Sequence, residues 1–134
     1  KNVTWKLAIT GMEPKHAANI IADELRNDPS IAAVLCTGQA DTEGAGLAKQ
    51  TLPPGRNVYM AGFDLSEKIL TMLQTDDIQF TIDQQPYVQG FYPVVQLALY
   101  CRYGIRPYSM DAGSMVVTKE QAGVVMERKK KNYR

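Results

Sequence analysis

A single histidine and two cysteines are all that 134 residues supply of the side chains most used in metal sites and covalent catalysis. His16 falls near a helix start with no Cys, His or carboxylate at ligand spacing around it, which assigns it to the surface or to packing. No serine stands in a G-x-S-x-G setting, so a Ser-His-Asp triad has no support. Gly44-Ala45-Gly46 lacks the third glycine of a dinucleotide fingerprint and falls inside a helical stretch, not at its entry. These absences predict no cofactor, no metal and no enzymatic activity. Cys36, in an apolar strand, and Cys101, in an apolar helix, are too few and too scattered for a disulfide framework and read as two buried thiols. Neither sign of charge prevails: 15 basic and 14 acidic side chains leave a net charge of +1, which gives no electrostatic reason to expect nucleic acid. No run approaches the roughly 18 apolar residues needed to span a bilayer. The sequence opens on Lys1, and neither a cleavable leader nor a membrane anchor is legible in it.

What the chain does have is an apolar fraction of 45%, enough for one domain with a core. Trp5 to Thr10 alternates and is rich in β-formers, and Gly11-Met12-Glu13-Pro14 turns the chain into a helix with proline in its first turn. In that helix Ala17, Ala18, Ile21, Ala22 and Leu25 recur at three- and four-residue spacing, so one face packs. Ile31 to Cys36 is a continuous apolar run, as expected for a strand covered on both faces. A second helix around Thr42 to Gln50 is loosened by Gly44 and Gly46, and small residues there predict close approach of helix to sheet. Val58 to Phe63 reads as a buried strand, Ser66 to Gln74 as a helix and Ile78 to Asp83 as a fourth strand. Strands alternating with helices predict an α/β domain with a parallel sheet and right-handed crossovers. From Tyr87 to Tyr103 the pattern is helical, with Val88, Phe91, Val94, Val95, Ala98 and Leu99 as the packed side, and Gly104 ends it. Ser114 to Thr118 is a short strand-like piece. The polar segment from Glu120 to Arg134 starts as a helix and carries Arg128-Lys129-Lys130-Lys131 as a solvated tail.

The stretch from Val58 to Gly90 organises the rest. Asp64 and Gln84 each stand where an apolar strand gives way to a loop, the edge of an open α/β sheet at which ligands bind. Gly62-Phe63-Asp64 followed by Thr81-Ile82-Asp83-Gln84-Gln85-Pro86-Tyr87-Val88-Gln89-Gly90 resembles the closing part of a type I periplasmic sugar-binding protein of the ribose-binding kind. Two motifs in the family's order and spacing make the resemblance specific. It implies a three-layer α/β/α lobe lacking most of the other lobe. Residues 1–83 would be the lobe core, 84–112 the hinge and crossover helix, and 113–134 the return strand and tail.

The same resemblance implies a non-enzymatic solute-binding component of an ABC transporter, periplasmic or lipid-anchored outside the cell. It would bind a monosaccharide or related polyol between two lobes and be recognised by the transporter's membrane subunits. Asp64 matches the carboxylate that accepts sugar hydroxyls, and Gln84 the hinge amide. Met12 falls where ribose-type members set an aromatic ring. Gly38 falls where many members have asparagine, which leaves room, so either the ligand is larger or Gln39 or Asp41 contributes instead. Taken alone, an Asp after a strand is a turn or cap residue, Gln84 a loop tie and Met12 a core filler. An uncovered sheet edge and the helix face around Phe91, Val95 and Leu99 imply a homodimer formed by exchange of that helix. Two other readings stay open at this point: the effector-binding core of a LacI-type transcription regulator, which shares the fold, and a sensory or assembly module.

Overall fold

The computed structural model describes residues 3–131. In chain order the elements are α1 (Pro14–Asn27), β1 (Ala33–Leu35), α2 (Gln39–Gln50), β2 (Tyr59–Phe63), α3 (Glu67–Gln74), β3 (Phe80–Asp83), α4 (Pro86–Tyr103), β4 (Met115–Thr118) and α5 (Lys119–Lys130). The sheet runs β1-β2-β3-β4. β1, β2 and β3 are mutually parallel, with Val34 opposite Met60 and Gly62 opposite Thr81. β4 is antiparallel to β3 and sets Asp83 opposite Met115. The α/β class and the parallel order therefore hold for three strands, and the fourth reverses. Its direction follows from the connection: the chain leaves β3 at Gln84, runs through α4 and re-enters the sheet at the edge it left.

Local chemistry accounts for the helices. Glu13 caps α1, its carboxylate accepting from the His16 amide at 2.6 Å, and Pro14 occupies the first turn, where its missing N–H costs nothing. Ser66 caps α3 through its hydroxyl, which accepts from the Ile69 amide at 3.2 Å. Asp41 caps α2 by accepting from the backbone amides of Thr37 at 2.7 Å and Gly38 at 2.9 Å. Both carboxylate oxygens of Asp41 are thus engaged at the start of α2. At α5, the Gln121 side chain accepts from the Thr118 amide.

Because parallel strands in sequential order take right-handed crossovers, α2 and α3 lie on one face of the sheet. α5 packs against α3 and α1 against α2. The core lies between this helical layer and the sheet, where Met60, Ile69, Leu70, Leu73, Ile78 and Val117 are fully buried. Each such side chain contributes about 1.5–3 kcal/mol of transfer free energy. The helix–sheet approach is closest at Gly62, where a Cβ would collide with the Thr42 hydroxyl and come within 2.9 Å of Cys36 Cβ. Gly44 and Gly46 serve helix–helix contacts instead, Gly44 against Ala17 and Ala18 of α1 and Gly46 against Met72 of α3.

Several expectations are corrected. Trp5–Thr10 is not a strand: Trp5, Leu7 and Ile9 are exposed, and no strand of the sheet takes up the segment's backbone groups. β1 is an edge strand and its Leu35 is 53% exposed, so its apolar run is not covered on both faces. The sheet face away from the helices displays Leu35, Tyr59 and Val116, so the third layer of an α/β/α lobe is not contributed by the described residues. α4 forms over the expected span with Pro93 inside it, yet none of its residues is buried. Phe91, Val94, Ala98 and Leu99 are exposed, while Val88 and Val95 are partly covered, because no other element packs along the helix. Cys101 is exposed for the same reason, whereas Cys36 is buried as expected.

Candidate functional site

β1, β2 and β3 all point their C-terminal ends toward one rim, so Thr37-Gly38, Asp64 and Gln84 are brought to the same edge by strand direction alone. At that rim lies a cavity of about 180 Å³ lined by Gln39, Asp64, Leu65, Ser66, Asp83, Gln84, Pro86 and Lys129.

Asp64 leaves β2 at φ 77°, in the left-handed region that few non-glycine residues adopt. Two bonds hold it there. Its backbone carbonyl accepts from the Thr81 hydroxyl at 2.8 Å, and its amide donates to the Ile82 carbonyl at 3.0 Å. With the backbone pinned to β3, the carboxylate is carried over the rim. Gln84 Nε2 donates to Asp64 Oδ1 at 3.1 Å. Gln84 is itself held from below: its carbonyl accepts from Gln89 Nε2 at 2.6 Å, and a Cβ on Gly113 would press within 3.1 Å of Gln84 Cα. Asp83, 1% exposed, accepts from the Gln85 amide at 2.9 Å, which supports Gln85 at φ 48° as the chain turns into α4.

The pairings decide which atoms remain for a guest. Gln84 has spent an N–H on Asp64, so its Oε1 is left as an acceptor, and Asp64 Oδ2 has no protein partner among the described residues. Gln39 Nε2 donates to Glu43 Oε1 at 3.1 Å. Glu43 is a buried carboxylate, 4% exposed, whose second oxygen stands 3.5 Å from Lys68 Nζ. Gln39 Oε1 is therefore also left to accept. Three acceptors at one rim suit a guest that presents hydroxyl donors.

Of the five expected site residues, Asp64, Gln84 and Gln39 line this cavity. Gly38 caps α2 beside Gln39 without lining it, and Met12 stands in the loop before α1, 95% exposed. Lys129 was missed. Its place in a basic run reads as solvated tail, but α5 packs on α3 and brings Lys129 Nζ within 2.7 Å of the Leu65 carbonyl, next to Asp64. No local sequence signal distinguishes it from Arg128 or Lys130. Among the described residues no group of three or more His, Cys, Asp or Glu side chains could hold a metal, and no helix is long and apolar enough to cross a membrane.

A sheet rim with left-over acceptors at the carboxyl ends of parallel strands is the place at which open α/β sheets take ligands. Residues 6–104 match the family model for the periplasmic binding protein domain, and the chain belongs to that family. It is 26% identical over 122 residues to the xylose/arabinose-binding protein XylF of Sulfolobus acidocaldarius, a match that covers 86% of this chain and 30% of that protein. Among solved structures it is similar to a carbohydrate transporter from Acidothermus cellulolyticus 11B in complex with myo-inositol. The TM-score is 0.75 at 28% identity, over 91% of this chain and 43% of that one. It is also similar to a carbohydrate transporter solute binding protein from Agrobacterium radiobacter in complex with D-arabinose. There the TM-score is 0.70 at 26% identity, over 86% of this chain and 39% of that one. The chain thus spans less than half the length of these relatives.

Proposed function

We propose that this chain is one lobe of a non-enzymatic solute-binding component of an ABC transporter, binding a monosaccharide or related polyol at the rim of Asp64, Gln84 and Gln39. The observation that carries the reading is the Asp64–Gln84 pair, which lines a cavity with Asp64 Oδ2 and Gln84 Oε1 left to accept and the second N–H of Gln84 left to donate. Relatives that bind xylose or arabinose, myo-inositol and D-arabinose support the ligand class. A cavity of about 180 Å³ is smaller than the roughly 300 Å³ at which small-molecule pockets begin, which fits half of a cleft whose other wall is a second lobe.

In this reading residues 1–83 are the lobe core, Gln84 begins the hinge, α4 packs on the other lobe, and residues 113–131 return to the sheet. Ligand contacts to both lobes favour the closed form, and the transporter's membrane subunits recognise that form, outside the cytoplasm. Without the other lobe, the bare faces of α4 and the sheet favour pairing of two copies through exchange of α4. In this reading Met12 and Gly38 become pocket wall only once the second lobe closes.

Isothermal titration tests the reading. The 134 residues alone are expected to give no tight binding of simple sugars, while a two-lobed protein containing them binds one of these sugars. Tight binding by the 134 residues, or none by the two-lobed protein, overturns it.

A further inference from the structure

The rim described above is rich in acceptors, and one lining residue differs in kind. Among the described residues Lys129 is the single cationic side chain that lines the cavity. Its ammonium gives one of three N–H groups to the Leu65 carbonyl at 2.7 Å. It forms no ion pair among the described residues, although four other lysines do: Lys6, Lys68, Lys119 and Lys130. Its side chain is half-buried, held by the packing of α5 on α3, so the charge does not simply swing into solvent. Asp64 lines the same cavity but is not paired with it. The cavity therefore combines the acceptors of Asp64, Gln84 and Gln39 with an ammonium that, among the described residues, has N–H groups left to donate.

Resting on the hydroxyl-binding reading above, we propose that Lys129 is a specificity-determining residue and that the site favours a sugar acid, a polyol that carries a carboxylate at one end, over its neutral counterpart. The hydroxyls of such a guest meet the acceptors, and its carboxylate takes the free N–H groups of Lys129 in charge-assisted hydrogen bonds. Those bonds are stronger than the bonds a neutral hydroxymethyl group makes at the same place.

D-glucose and D-glucuronate differ at one carbon, CH₂OH against COO⁻, and test this on the 134-residue chain by two-dimensional NMR, which reads millimolar binding. Glucuronate is expected to shift the backbone amides of Asp64, Leu65, Ser66 and Gln84 with a midpoint roughly tenfold below that of glucose, the difference one charge-assisted bond makes. In Lys129→Met, which keeps the apolar stem, the ratio of the two midpoints falls to one or reverses. Lys129→Arg keeps it above one. Equal midpoints in the parent chain, or a preference that persists in Lys129→Met, overturn the role of Lys129 while the hydroxyl-binding reading stands. If neither sugar shifts these amides, this inference falls, while the hydroxyl-binding reading is decided by the titration of the two-lobed protein.

Discussion

Replacing Asp64 by asparagine separates the carboxylate's work for a ligand from its work for the fold. The two side chains are isosteric, and both tolerate the left-handed backbone that φ 77° imposes. An amide oxygen in place of Oδ1 still accepts from Gln84 Nε2, and the bonds from Thr81 and to Ile82 involve backbone atoms that the substitution leaves alone. Stability should therefore move by no more than about 0.5 kcal/mol, the range of substitutions that break no buried interaction. Binding should suffer far more. The unpartnered Oδ2 becomes an NH₂ group, so an acceptor is exchanged for a donor facing hydroxyl groups, and the charge is lost. Hydrogen bonds to a charged group contribute about 1.5–3 kcal/mol, which corresponds to roughly a ten- to hundredfold rise in Kd. Urea unfolding of the 134-residue chain reads the first quantity, and titration of a two-lobed protein carrying the same substitution reads the second. A loss of 2 kcal/mol or more in stability would make Asp64 a structural cap. Unchanged affinity would remove it from the site altogether.

Other outcomes follow from the same structure. Gly62→Ala drives a methyl group into the Thr42 hydroxyl and Cys36 Cβ and should cost about 1–3 kcal/mol in urea unfolding; a neutral result would mean that α2 can lift from β2 freely. Burial, with the Asp41 carboxylate adding to it, pushes the Cys36 thiol up to about 12, whereas Cys101 is exposed, so iodoacetamide at pH 8 should add once to the native chain, at Cys101; native double labelling refutes this. The unfolded thiol loses its proton near pH 9.0 while the folded one keeps it. This group's contribution is therefore complete below pH 9 and declines as pH rises toward 12, by at most about 1.4 kcal/mol per unit, which alkaline denaturation series in the parent and Cys36→Ala would separate. Sedimentation of the chain should reveal dimers that Phe91→Lys weakens, since Phe91 is 49% exposed on a helix with no buried residue; a clean monomer at high concentration counts against pairing through α4.

Legibility varied with the range of the interaction responsible. α3 was readable to within a residue because its causes are local: a serine cap at Ser66 and apolar side chains at Ile69, Leu70, Met72 and Leu73. Asp64 and Gln84 were readable as a pair because each ends a strand, and parallel strands deliver their ends to one rim. Trp5–Thr10 has the alternation of a strand but not the structure, since alternation records which side chains can face a core and says nothing about whether a neighbour exists to bond the backbone. The expected packed face of α4 failed in the same way, as amphipathic spacing presupposes a surface to pack on.

The succession of residues alone determined the class of fold, the position of the sheet rim and the two polar side chains that mark it, because propensity, caps and strand ends are properties of neighbours in the chain. Tertiary structure decided the reversal of β4, the bareness of α4 and of one sheet face, the direction in which each amide is spent, and the arrival of Lys129 beside Asp64. Lys129 and Leu65 are 64 positions apart. Whether one of four consecutive basic residues reaches that carbonyl depends on how α5 lies against α3, and no interval of sequence between them encodes it.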